Sequence, residues 1–203
     1  MNIDYQSIIR LGWQEYNAKR EIIDIQDLSV NVSTNKVFKL TLTDGGCLMV
    51  KVSNFGKYEN FKDDHTIINV LANNLEYPYE SMLSSSLIKN DELYLYKYED
   101  TMIEVWMVFY RPVRIAQKLP KRLNDKQVRI FGTEMAKFHK ACDTIAPVLP
   151  RSSKNLRKDI MQLMRNIENP EHTEQFKGNE NLIRSHCDLF LNNIAKLGFD
   201  NFA

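Results

Sequence analysis

The sequence predicts an α+β chain of two lobes, an antiparallel-sheet lobe over residues 1–110 and a helical lobe over residues 111–203. Three observations predict it. Apolar residues alternate from Lys36 to Val52 around Asp44-Gly45-Gly46, as in a hairpin with one buried face. The run Val105-Trp106-Met107-Val108-Phe109-Tyr110 is apolar on both faces, as a central strand requires. From Asp125 to Cys142 the apolar residues recur instead at steps of three and four, which is helical.

Taken in order, Lys36 to Thr43 places Phe38, Leu40 and Leu42 on one strand face and Lys39, Thr41 and Thr43 on the other. Glycine in Asp44-Gly45-Gly46 supplies the positive φ of a tight turn. Leu48, Val50 and Val52 share a face of the return strand, which puts Lys51 on the opposite one. Phe61, Ile67, Ile68, Val70, Leu71 and Leu75 fit a helix from about Asn60 to Leu75, with Pro78 soon after it. Glu92 to Tyr98 and Ile103 to Tyr110 read as a second strand pair, ended by Arg111-Pro112. Val128, Phe131, Met135, Phe138 and Cys142 mark the next helix, which Asn124 or Asp125 can cap. Pro147, Pro150 and Ser152-Ser153 mark a loop, and a further helix runs from about Leu156 to Ile167 before Pro170. Glu171 to Asn181 is polar, and Ile183 leads into a loop.

Composition narrows the functional classes. The chain has 203 residues and a net charge of +1, so no global field favours nucleic acid or an anionic membrane. No apolar run approaches the ~20 residues of a membrane span. Cys47, Cys142 and Cys187 are odd in number and far apart, which argues for reduced thiols rather than a disulfide framework or a zinc knuckle. The start, Met1-Asn2-Ile3-Asp4-Tyr5, carries acid early and lacks a signal-peptide core. These features predict a cytoplasmic protein.

Two places carry chemistry. The segment His186-Cys187-Asp188-Leu189-Phe190-Leu191-Asn192-Asn193 reads His-x-Asp-Leu-x-x-x-Asn, the spacing of a kinase catalytic loop. In such a loop Asp188 faces the hydroxyl to be phosphorylated, while Asn193 turns back to hold a magnesium ion on the nucleotide phosphates. His186 braces the loop by hydrogen bonding. The bland alternative is a buried polar turn in which His186 and Asp188 cap backbone groups. A Cys-His-Asp hydrolase is a poor reading, because consecutive side chains point apart. The second place is Lys51, which must find an anion or reach water. Nucleotide phosphates would satisfy it, and so would a solvated sheet face.

Several segments in this order resemble the aminoglycoside phosphotransferase and choline kinase-like family. Ser33-Thr34-Asn35-Lys36-Val37-Phe38 is similar to its nucleotide-loop segment, and Val50-Lys51-Val52 to its phosphate-binding strand. Phe131-Gly132-Thr133-Glu134-Met135-Ala136-Lys137-Phe138-His139 resembles its Leu-Gly…Leu-His helix, and His186 to Asn193 its catalytic loop. The resemblance implies a bilobal protein-kinase-like fold with a shortened C-lobe. It implies that Ser33, Thr34, Asn35 and Lys51 hold the phosphates of ATP or GTP, with Asp64 (or Glu59) orienting Lys51. Val108-Phe109-Tyr110-Arg111 would be the hinge, its backbone pairing with the purine edge and Phe109 and Tyr110 close to the ring. The metal-binding Asp of the family falls beyond the Asn. Here the matching stretch is Leu197-Gly198-Phe199-Asp200, so either Asp200 binds Mg2+ or Gly198 stands where the metal Asp would be. The family's remaining C-terminal helices have no counterpart before Ala203. The implied activity is transfer of the terminal phosphate of ATP or GTP to a small-molecule hydroxyl. The alternative is a nucleotide-binding pseudoenzyme or a fragment of such a kinase.

Overall fold

Asp4 starts the chain's first helix: its carboxylate accepts from the Ser7 amide at 3.2 Å and from the Ser7 hydroxyl at 2.6 Å. In the computed structural model residues 3–29, 35–113, 120–151, 156–169 and 176–197 are described. They form helix α1 (Tyr5–Asn17), strands β1 (Ile22–Asp27), β2 (Asn35–Leu42) and β3 (Cys47–Ser53), and helix α2 (Tyr58–Asn74). Strands β4 (Ile88–Lys89), β5 (Glu92–Leu93), β6 (Leu95–Glu99) and β7 (Glu104–Tyr110) follow. Helices α3 (Asp125–Ile145), α4 (Leu156–Glu168) and α5 (Glu180–Leu197) come last. The fold is α+β. No helix among the described residues is long and apolar enough to cross a membrane.

The sheet is antiparallel throughout, in the order β1-β2-β3-β7-β6. The hairpin at Asp44 forms as its sequence predicts: Gly45 has φ +78, and the Asp44 side chain accepts from the Gly46 amide at 2.9 Å. Pairing Lys51 with Val37 on one side and Val108 on the other fixes two chemically different faces. On one face Phe38, Leu40, Leu42, Leu48, Val50 and Val52 are buried against Ile8, Ile9 and Trp13 of α1. On the other, Trp106 and Val108 pack against Phe61 of α2.

Three elements differ from the sequence reading. Helix α1 and strand β1 were not foreseen. The strand expected over Glu92 to Tyr98 is broken at Tyr94, because Asn90 and Asp91 adopt positive φ (53 and 64) and fold β4 onto β5 as a separate small hairpin. Only Leu95 onward joins the main sheet.

The compact units part at Pro150, not at Tyr110: Met1–Pro150 and Arg151–Ala203. Helix α3 therefore belongs with the sheet, and the Tyr79 ring packs edge-on against Phe138 at 5.7 Å. Its N-terminus is a capping box, in which Asn124 and Gln127 exchange side-chain bonds to each other's amides at 2.9 and 3.0 Å. The second unit is a pair of helices. Ile167 of α4 and Cys187 of α5 are buried, and Arg184 pairs with Glu168 at 2.8 Å.

Candidate functional site

Alternation along β3 decides where Lys51 goes. Val50 and Val52 are fully buried toward α1, so Lys51 stands on the α2 face, half-buried, with Nζ 5.8 Å from the centre of the Phe61 ring. Helix α2 buries Phe61 and, one turn later, His65. Their rings meet edge-on at 4.3 Å, and His65 Nδ1 shares a hydrogen bond of 2.6 Å with the Tyr110 hydroxyl. Burial, and after it the neighbouring Asp64 carboxylate, push the Tyr110 phenol far up, so it stays protonated. Trp106 closes the group, with Tyr58 and Phe61 at 6.1 and 6.3 Å. Its indole Nε1 is buried with no hydrogen-bond partner among the described residues. The result is an aromatic wall with Lys51 over Phe61, Lys97 over Tyr58, and the half-buried carboxylate of Asp64 on the covering helix. An ammonium on such a wall can hold an anion, and the carboxylate can orient the ammonium.

The structure brings some of the predicted residues together. Asn35 opens β2 opposite Ser53, which puts it on the face of Lys51, two positions along the paired strand. Asp64 lies on the helix that covers this face, while Glu59 is exposed in the first turn of α2. Ser33, Thr34 and Asp200 lie outside the described residues.

Two hinge expectations are corrected. Phe109 is fully buried on the opposite face, between Trp13 at 5.9 Å and Tyr94 at 5.8 Å, so it cannot lie against a purine on the Lys51 face. Tyr110 is on the Lys51 face, but its hydroxyl is committed to His65. The main chain is committed too: the Phe109 carbonyl accepts from the Leu87 amide at 2.8 Å, and the Arg111 amide donates to the Ser85 carbonyl at 2.9 Å. Residues 108–110 are strand interior rather than a free hinge.

The expected catalytic loop is also corrected. His186, Asp188 and Asn193 lie inside α5, and all three are exposed. Ile183, Cys187 and Leu191, spaced by four, form the more buried face of that helix, which has no glycine or proline to break it. Five positions along a helix turn the chain through about 140°, so Asp188 and Asn193 point apart instead of converging. His139 is likewise exposed on α3 and touches the ring of its own neighbour Phe138. No group of three or more His, Cys, Asp or Glu side chains among the described residues could hold a metal ion. The donors that are described do not assemble a magnesium site.

His65, Phe61 and Trp106 were not read as site residues, although Phe61 was placed on the helix and Trp106 on the central strand. The signal for the first two was their spacing of four on α2, but only the β3–β7 register places Tyr110 opposite them. A cavity of about 590 Å³ lies at the other end of α2, lined by Glu76, Tyr77, Tyr79, Ile145 and Val148. With this geometry in hand, comparison with known proteins adds nothing: the chain matches no family model, no curated protein and no solved structure.

Proposed function

We propose that this chain is a nucleotide-binding protein of the bilobal, protein-kinase-like type, in which Lys51 receives the phosphates of ATP or GTP. One observation carries the reading. Lys51 projects from the third strand of an antiparallel sheet onto the face covered by the very next helix, and that helix presents Asp64 there. Asn35 shares the face, two positions along the neighbouring strand.

Transfer of the phosphate to a small-molecule hydroxyl is the second reading. It assigns Asp188 to the acceptor, His186 to bracing, and Asn193 and Asp200 to Mg2+. It requires residues 186–193 to leave the helical conformation, because helical Asp188 and Asn193 diverge. The geometry therefore favours nucleotide binding without turnover.

Calorimetric titration with ATP and with GTP, each with and without Mg2+, tests the proposal. Binding that Lys51→Ala removes is the expected result. No binding of either nucleotide overturns it. Turnover that Asp188→Asn abolishes would restore the second reading.

A further inference from the structure

Helix α2 buries two residues, Phe61 and His65, and its N-cap Lys57 makes no side-chain cap bond. Apolar packing through Phe61 resists separation but sets no angle, because it is not directional. A hydrogen bond is directional, and the one α2 makes to the sheet through a buried side chain is that of His65 to Tyr110. His65 is 1% exposed, so its imidazole is costly to bury without such a bond.

We infer that the His65–Tyr110 hydrogen bond is a latch that sets the rotation of α2 on the sheet and so holds the Asp64 carboxylate beside Lys51. Its bearing on phosphate binding rests on the nucleotide reading above. Lys51 and Asp64 border opposite ends of one ring cluster, Phe61-His65-Tyr110: Lys51 sits over Phe61, which meets His65 edge-on, and Asp64 acts on the Tyr110 phenol. Asp64 directly precedes His65, so the bond made by one fixes the direction of the other. Advancing α2 by a single residue turns it through about 100° and swings Asp64 off this face. Tyr110 and His65 are therefore positioning residues, acting on Lys51 through Asp64.

Zero-length carbodiimide crosslinking tests this without any nucleotide, because it joins an amine to a carboxylate only where the two meet. The Lys97–Glu104 pair, at 2.7 Å on the same sheet, is the internal reference. Wild type is expected to give a Lys51–Asp64 crosslinked peptide by mass spectrometry. Tyr110→Phe should lower its yield relative to the reference by roughly fivefold, the weight of one hydrogen bond. His65→Phe, should Tyr110→Phe fail to fold, breaks the bond from the other side. His65→Asn keeps an amide close to the Nδ1 position and should restore most of the yield. Absence of the crosslink in wild type overturns the latch, and so does an unchanged ratio in Tyr110→Phe and His65→Phe. A wild-type protein that crosslinks but binds neither ATP nor GTP supports the latch and removes the nucleotide reading, so the two failures are distinct.

Discussion

The Tyr94 hydroxyl donates to the Gly12 carbonyl at 2.6 Å, tying the middle of α1 to the residue between β5 and β6 across 82 positions of sequence. Burial above all, with the nearby Glu15 carboxylate, pushes the Tyr94 phenol well up, so it remains a donor across the ordinary pH range. This bond belongs to the sealed side of the sheet, where Trp13, Tyr94 and Phe109 stack. Lys51 and the His65–Tyr110 pair lie on the other side. One face of the sheet is thus covered by α1 and the other by α2.

At Gly12 α1 comes close to the sheet. A Cβ there would lie 2.8 Å from Cδ1 and 2.9 Å from Cγ of the Tyr96 ring, atoms near the root of a β6 side chain that cannot swing away. Gly12→Ala recovers up to ~1 kcal/mol of helix propensity. Overpacking costs about 1–3 kcal/mol. The net expectation is a lower midpoint of denaturant unfolding with an unchanged slope. A more stable variant would show that α1 does not sit this close.

The capping box of α3 is worth a separate test. Asn124→Ala removes the acceptor for the Gln127 amide and should cost about 1 kcal/mol. Hydrogen exchange is expected to quicken in the first turn of α3 and to stay unchanged in β2 and β3. Uniform quickening would mean that the cap supports the whole unit rather than one helix end.

Particular residues show how far the sequence could be read. Strand β3 was legible because Leu48, Val50 and Val52 keep a strict period of two, and that alone placed Lys51 on the opposite face. Strand β1 was not, because its register shifts between Ile22 and Asp24, leaving Ile22 and Ile25 buried at a spacing of three. The loop expected at His186 failed for another reason. A motif fixes which residues stand at which intervals but not the backbone between them, and Ile183, Cys187 and Leu191 carry a helical period through the same stretch. Phe109 could be assigned a face only from the register of β7 on β3, which is long-range information.

Acid should destabilise the sheet unit through a small set of carboxylates. Asp100 accepts from the Met102 and Ile103 amides at 2.8 and 2.9 Å, which holds it below its ordinary 3.8. Serine hydroxyls first, and amides after them, also hold Asp4 and Asp27 low, and Asp44 is lowered first by the Gly46 amide. A carboxylate lowered in the folded state stabilises it above the unfolded value and loses that contribution as pH falls through the lower folded value. Thermal midpoints should therefore be flat near neutrality and fall below about pH 4. Asp100→Asn should show a shallower fall over that limb and little change above it. Equal acid slopes would remove Asp100 from the set.

Neighbouring substitutions in α5 separate a helix from a catalytic loop without any knowledge of a substrate. In the helix Asp188 faces solvent and Cys187 faces inward, at 5% exposure. Asp188→Asn should then change stability by no more than about 0.5 kcal/mol, as for an exposed surface site. It should also leave the affinity for ATP unaltered, because the phosphates are assigned to Lys51. Cys187→Asp buries an unpaired charge against α4 and should cost about 2 kcal/mol or more. Circular dichroism and denaturant unfolding of the full chain give both numbers. A loop of the kinase type would leave that affinity unaltered too but would make Asp188→Asn abolish turnover, since Asp188 would then orient the acceptor hydroxyl. It would also relieve Cys187 of its inward position. The buried cysteine and the exposed aspartate are one rotation of one helix, so a single pair of variants decides which backbone the segment adopts.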